Sequence, residues 1–458
     1  MTAVCQPVSL INCPIAEVTG ADLQVPLIHG GTARYANLDY AASAPALATV
    51  VEELSRTLPF YASVHRGAGY ASQASTACYE SARRVVAGFL GARTDDHVVF
   101  TRNTTDSLNL LAHCVPGETV VLDVEHHANF LPWRRGGARV VEAAGTLAET
   151  LECLDRELGR RPAALLAVTG ASNVTGEVLP IARLAKIAHR HGARILVDAA
   201  QLAPHRRIDL SECGIDYLAL SGHKLYAPFG AGVLVGRADW LDAAEPYLAG
   251  GGAVRSVGLH ETRWADGPAR HEAGSPNVLG AAALAQACVT LAGLDRDRAH
   301  RHEQALVRLL VTGLEDLPGV TVHRIWGDPE GGVDTVGIAT FTVAGHHPAE
   351  VATYLSAEHG IGVRHGKFCA HPLLDRLGLP DGAVRTSLGL GSTADDVERL
   401  IRAIDQLLTC GPVWDYAADA RGQWAPVPET RTLPDFLGGH LIGDPAAGTP
   451  STPPCGRD

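Results

Sequence analysis

The chain has 458 residues, 46% hydrophobic and 19% charged, with a formal net charge of -12. That composition fits a soluble globular protein with room for two domains. The acidic balance disfavours nucleic acid as a partner, no basic tract addresses a membrane surface, and no apolar run is long enough to span a bilayer.

Residues 1–8 lack the basic start and apolar core of a signal peptide. The ten cysteines are scattered and none form a CxxC pair, which points to reduced thiols and a cytoplasmic location. Residues 1–36 are weakly patterned and read as an N-terminal extension. From there short apolar runs alternate with helical patterns. Strands are expected over 97–101, 119–124, 164–169, 194–198, 217–220 and 232–235, and helices over 75–90, 105–113, 181–191, 280–294 and 300–314. Strands without polar alternation, spaced by helices, predict a mostly parallel sheet covered on both faces, in a large domain over 37–317. The pattern changes near residue 318. Runs over 320–325 and 335–343, with helices over 348–359 and 394–408, predict a smaller α+β domain over 318–412, which part of the N-terminal region can join. Residues 413–458, rich in proline and glycine, are expected to form a largely disordered tail.

In open α/β sheets a ligand sits beyond the carboxyl ends of the strands, and the polar residues of interest follow the expected strands. Thr104 and Thr105 stand at a helix start, where they cap the helix or hold a phosphate. His126 and His127 are adjacent on an extended segment, so they point apart and cannot share a metal easily. His126 is either a loop histidine in water or one stacked on a planar ligand. Asn173 belongs to an Asn-x-x-Gly turn, which is common. Asp198 closes a buried apolar strand, with Gln201 three residues on. A carboxylate there needs a partner: a metal, an arginine or a protonated heterocycle. Ser221-Gly222-His223-Lys224 follows the apolar run 217–220 and precedes glycines. A lysine so placed suits a Schiff base, with the hydroxyl and imidazole beside it able to hold a phosphate. Cys369 lies among basic residues, which favour its thiolate, or is a buried small hydrophobe. Arg385, on a further expected strand, either grips a substrate carboxylate or forms an ion pair.

The segments Leu38-Asp39-Tyr40-Ala41-Ala42-Ser43-Ala44, Val64-His65-Arg66-Gly67, Phe100-Thr101-Arg102-Asn103-Thr104-Thr105 and Glu125-His126-His127-Ala128-Asn129 are followed by Val197-Asp198-Ala199-Ala200-Gln201, Ser221-Gly222-His223-Lys224 and Glu272-Ala273-Gly274-Ser275-Pro276-Asn277. In order and spacing they resemble the class V aminotransferase family of fold-type I pyridoxal-phosphate enzymes, over about residues 36–410, and within it the SufS-type branch of cysteine desulfurases and selenocysteine lyases. The resemblance implies pyridoxal 5'-phosphate bound to Lys224, which also moves protons. It implies that Asp198 pairs with the ring nitrogen, His126 stacks on the ring as a further catalytic residue, and Gln201 contacts its phenolic oxygen. Thr104, Thr105, Ser221 and His223 would hold the phosphate, and Ser275 would complete that cup in the neighbouring subunit of a homodimer. Asn173, Arg385 and Ala41 would bind the substrate, L-cysteine. Cys369 would take the sulfur as a persulfide, leaving L-alanine, before a sulfur-acceptor protein receives it. The cysteine loop departs from the branch: Lys367-Phe368 replaces the usual histidine before the cysteine, and Gly69 replaces another histidine.

Two rival readings share these residues. A carbon–sulfur lyase acting on a cysteine conjugate, or a class V transamination or epimerisation, would use the same cofactor set with Cys369 a bystander. The second is a non-enzymatic ligand sensor or assembly partner; fused transcription regulators of that kind need a DNA-binding domain, for which the 36 residues before the core are too few and not basic. The intact Lys224, Asp198 and Arg385 set also favours an enzyme.

Overall fold

The computed structural model describes residues 10–65, 67–326, 333–434 and 436. Its central sheet has seven strands in the spatial order Asp96–Thr101, Gly232–Arg237, Tyr217–Ser221, Arg194–Asp198, Leu165–Thr169, Thr119–Leu122 and Arg139–Val141. Gly232–Arg237 runs antiparallel to both neighbours, and the other pairings are parallel. The all-apolar runs are explained by burial on both faces. Leu166, Val168, Leu218 and Leu220 enter one core, while Leu165, Ala167, Tyr217 and Ala219 enter the other. This is the mostly parallel, helix-flanked sheet expected of the sequence.

A second sheet is antiparallel throughout, in the order Val320–His323, Ile338–Val343, Ala383–Ser387 and Arg364–Gly366. Helices Arg296–Glu315, Pro348–His359 and Ala394–Cys410 supply Leu310, Leu355 and Ile404 to its core. The N-terminal segment contributes here too. Ile11 and Leu38 enter this core, and Ala36–Asn37 pairs in parallel with Ile361–Gly362.

Helices Ala48–Thr57 and Leu147–Arg160 and strand Arg139–Val141 were not among the expected elements. Leu147–Arg160 starts from a capping box in which Thr146 and Glu149 exchange hydrogen bonds.

The expectation of a disordered tail from residue 413 is corrected by an antiparallel hairpin, Tyr416–Ala418 with Trp424–Pro426, packed on helix Pro348–His359. One buried carboxylate anchors its start. Glu358, 4% exposed, accepts from the backbone N–H groups of Val413 and Trp414 and from the Tyr416 hydroxyl, each at 3.0 Å. The stretch 443–454, read as disordered, lies outside the described residues. Among the described residues no single helix is long and apolar enough to cross a membrane.

The two sheets are joined at the turn after Leu165–Thr169. Buried Glu177 accepts from the backbone N–H groups of Ile325 (2.7 Å) and Trp326 (3.0 Å). Gly176, at φ 78°, lies so close to the second sheet that a Cβ would stand 2.9 Å from the carbonyl oxygens of Val336 and Ile338. Glu177→Ala leaves two buried donors without acceptors. It should lower the free energy of unfolding by about 2–4 kcal/mol, read from denaturant midpoints; an unchanged midpoint would show that the junction contributes nothing.

Candidate active site

One cavity of about 970 Å³ opens beyond the carboxyl ends of the parallel strands, facing the second sheet. Several of these strands deliver side chains to it. Arg194–Asp198 ends in Asp198, and Tyr217–Ser221 ends in Ser221 and runs into the short turn Gly222–Lys224. His126 follows Thr119–Leu122, Asn173 follows Leu165–Thr169, and Thr104 opens the helix after Asp96–Thr101. Arg385 reaches in from strand Ala383–Ser387 of the second sheet. Of the residues singled out in the sequence, Ala41, Thr104, Thr105, His126, Asn173, Asp198, Gln201, Ser221, His223, Lys224, Cys369 and Arg385 all line this cavity. Ser275 does not; it is exposed elsewhere on the chain.

At one end hydroxyl and amide groups converge. The Thr104 N–H donates to Ser221 Oγ at 2.7 Å, and the two hydroxyls lie 2.7 Å apart. Asn103 caps the helix by accepting from the Asp106 N–H. Gly232 permits the approach: a Cβ there would stand 2.6 Å from the Asn103 Cα. His223 Nδ1 faces Ser43 Oγ at 3.4 Å, and its ring stacks on the exposed Phe229. This end offers an anion several donors and the start of an 11-residue helix.

In the middle, burial sets the protonation states. Asp198, 4% exposed, has its carboxyl raised by burial, against a backbone donor at Ala200 and the nearby Lys224. Burial lowers Lys224 to about 8, Arg385 pushes the same way, and Asp198 opposes. Burial, and then Lys224, hold His126 down to about 3. Its Nδ1 accepts from the Ala128 N–H at 3.0 Å, which places the proton of the neutral ring on Nε2. Beneath it, buried Glu125 is raised to about 8 by desolvation and accepts from Asn129 and the Thr169 N–H. Gln201 donates to the Ala41 carbonyl at 2.7 Å.

At the far end Arg385, also 4% exposed, donates to the Asn173 carbonyl at 2.8 Å and to Asp39 at 3.1 Å, with the Phe368 ring 5.1 Å from its guanidinium carbon. Its Nε is buried without a hydrogen-bond partner. Phe368 and Cys369 both adopt left-handed backbone angles, φ 51° and 53°. Two bonds hold them there: Asn173 Nδ2 donates to the Phe368 carbonyl at 2.8 Å, and the His127 N–H donates to the Cys369 carbonyl at 2.7 Å. Asn173 thus holds the cysteine loop, a role beyond the substrate contact expected of it.

Sequence reasoning assigned no role to Asp39, although it quoted the segment that contains it. It gave Ser43 no role either, counted Arg364 and His365 only as basic neighbours of Cys369, and missed the Gly422–Gln423–Trp424 turn of the C-terminal hairpin; all of these line the cavity. The signal for the turn was present, since Trp414, Tyr416 and Trp424 are unusual in a tail read as disordered.

Comparison with known proteins agrees with this geometry. The family model described as aminotransferase class-V matches residues 36–400. A "Cysteine desulfurase" of Dickeya dadantii is 36% identical over 390 residues, covering 81% of this chain and 92% of its own. A "Probable cysteine desulfurase" of Pseudomonas aeruginosa is 41% identical over 384 residues, covering 81% and 93%. The apo structure of the cysteine desulfurase from Thermococcus onnurineus superposes with a TM-score of 0.75 at 34% identity, covering 81% of this chain and 94% of its own. The chain belongs to the class V aminotransferase family, in its cysteine desulfurase branch.

Proposed function

We propose that this chain removes sulfur from L-cysteine to give L-alanine, with pyridoxal 5'-phosphate as cofactor and Cys369 as the first sulfur acceptor. The observation that carries this reading is the meeting of Lys224, Asp198, Arg385 and Cys369 in one cavity. The donor set fits the cofactor. The Thr104, Thr105, Ser221 and His223 cluster suits a phosphate, and the buried Asp198 carboxyl suits a protonated ring nitrogen. The neutral His126 suits the face of a ring, and the lowered Lys224 amine suits a covalent link to an aldehyde. When bound, the cofactor draws electrons from the bonds around the substrate α-carbon.

The chain's own groups do the rest. The unpartnered Nε of Arg385 is a donor for the substrate α-carboxylate. Lys224, with an amine that titrates near neutral pH, moves the proton at the α-carbon. Cys369 as thiolate attacks the substrate sulfur: the S–S bond forms, the C–S bond breaks, and its electron pair stays on carbon and takes up a proton. Enzyme thiol and cysteine thus become enzyme persulfide and alanine, without an external oxidant. The reading extends to a homodimer in which Ser275 serves the partner's phosphate cup. Its exposure away from its own cavity supports this, as do the exposed apolar side chains Leu58, Tyr70 and Phe229. A separate acceptor then takes the persulfide sulfur.

Cys369→Ser should cut alanine and sulfide formation from L-cysteine more than about 100-fold while the absorption of the bound cofactor persists. Undiminished alanine in this variant would refute the persulfide step, and pyruvate with ammonia would establish the lyase instead. A second outcome follows from Lys224. With its pKa lowered to about 8, the reactive neutral amine grows as pH rises and is half-populated near that value. Attachment of pyridoxal phosphate to the apoprotein, followed by absorbance, should accelerate between about pH 6.5 and about pH 8.5 and level off above about pH 9. A rate still climbing steeply at about pH 10, as for an ordinary lysine, would contradict the desolvated amine.

A further inference from the structure

The hairpin Tyr416–Ala418 with Trp424–Pro426 lies beyond residues 36–400, where the family model matches. It nevertheless reaches the catalytic cavity. Gly422, Gln423 and Trp424 line it together with Cys369, Arg364 and His365. Depth separates the two groups of lining residues. Asp198 and Arg385 are buried, whereas Gln423 and Trp424 are half-buried and neighbouring Arg421 is exposed. The turn therefore forms part of the rim, and the cofactor residues form the floor.

This rim is braced. The Asp419 carboxylate accepts from the N–H groups of Arg421 and Gln423, both at 2.8 Å, and the Asp419 carbonyl accepts from the Gly422 N–H at 2.7 Å. The Trp424 indole stacks on His347, with centroids 5.7 Å apart and planes 19° from parallel. Its carbonyl accepts from Thr353 on helix Pro348–His359, whose Glu358 anchors the start of the hairpin. A large planar side chain with few rotatable bonds, held on one face, makes a fixed wall at low entropic cost.

We propose that Gln423 and Trp424 are specificity-determining residues that limit the molecules reaching the Cys369 sulfur to small ones, so that the persulfide passes to a small thiol rather than directly to the acceptor protein that the resemblance implies. The transfer rests on the desulfurase reading. An acceptor thiolate attacks the outer sulfur of the persulfide, a new S–S bond forms on the acceptor, the old one breaks, and Cys369 leaves as thiolate. No net oxidation or reduction occurs. The size limit itself is a property of the wall and is measurable without turnover.

The test uses the full-length holoenzyme and two probes with the same reactive group, N-ethylmaleimide and a maleimide carrying a polyethylene glycol chain. Loss of the unmodified Cys369 peptide is followed by mass spectrometry. In the wild type the small probe should react far faster than the large one. Trp424→Ala should reduce that ratio by about 10-fold, the scale on which pocket walls discriminate size. Trp424→Phe, which keeps a ring against His347, should retain it, and Gln423→Trp should increase it. The opposite shifts of Trp424→Ala and Gln423→Trp separate a wall from general loosening of the hairpin. Equal ratios in the wild type, Trp424→Ala and Gln423→Trp would overturn the proposal. Because the probes react without turnover, a wild type that makes no alanine would refute the desulfurase reading while the ratio still decides the wall.

Discussion

The arrangement around Cys369 depends on the burial of one guanidinium. Arginine does not shed its proton in proteins, so burial of Arg385 obliges its surroundings to answer a fixed charge and a planar fork of donors. The groups that answer come from three distant parts of the chain: Asp39 before the first helix, the Asn173 carbonyl after a central strand, and the Phe368 ring on the cysteine loop. Asn173 then passes the constraint on, because its amide holds the Phe368 carbonyl. The same cation thus gathers the substrate end of the cavity and sets the loop that carries the sulfur acceptor. It keeps one buried donor, Nε, unpartnered for a ligand.

The rest of the cavity is tuned by desolvation more than by pairing. Burial is the largest influence on Asp198, Lys224, His126 and Glu125, and in each it favours the uncharged form. A neutral imidazole can lie on a ring, and a partly deprotonated lysine can act as nucleophile and base. The fold achieves this by placing all four where buried strands end, so the chemistry follows from the parallel sheet.

Much of this was legible in the sequence because burial on both faces leaves a local trace. The runs 164–168, 195–197 and 217–220 are apolar throughout, and a polar residue ending such a run, such as Asp198, stands out against them. Roles that depend on contacts distant in sequence leave no such trace. The Asp39–Arg385 ion pair spans 346 positions, and neither residue's neighbourhood announces the other. The hairpin was misread for a different reason. Proline and glycine content suggests a chain unable to build a core, yet this segment borrows one, laying Trp424 on His347 and Tyr416 on Glu358. Composition averaged over 413–458 hid three aromatic residues at its start.

The junction at Glu177 bears on how the molecule comes apart. Its carboxylate is shared with Ile325 and Trp326, the Val178 N–H donates to the Asp334 carbonyl at 2.8 Å, and the Val336 N–H donates to the Gly176 carbonyl at 2.9 Å. Neither sheet can open without stripping buried partners from the other. Opening of this junction therefore exposes buried groups on both sides at once, which couples the unfolding of the two sheets.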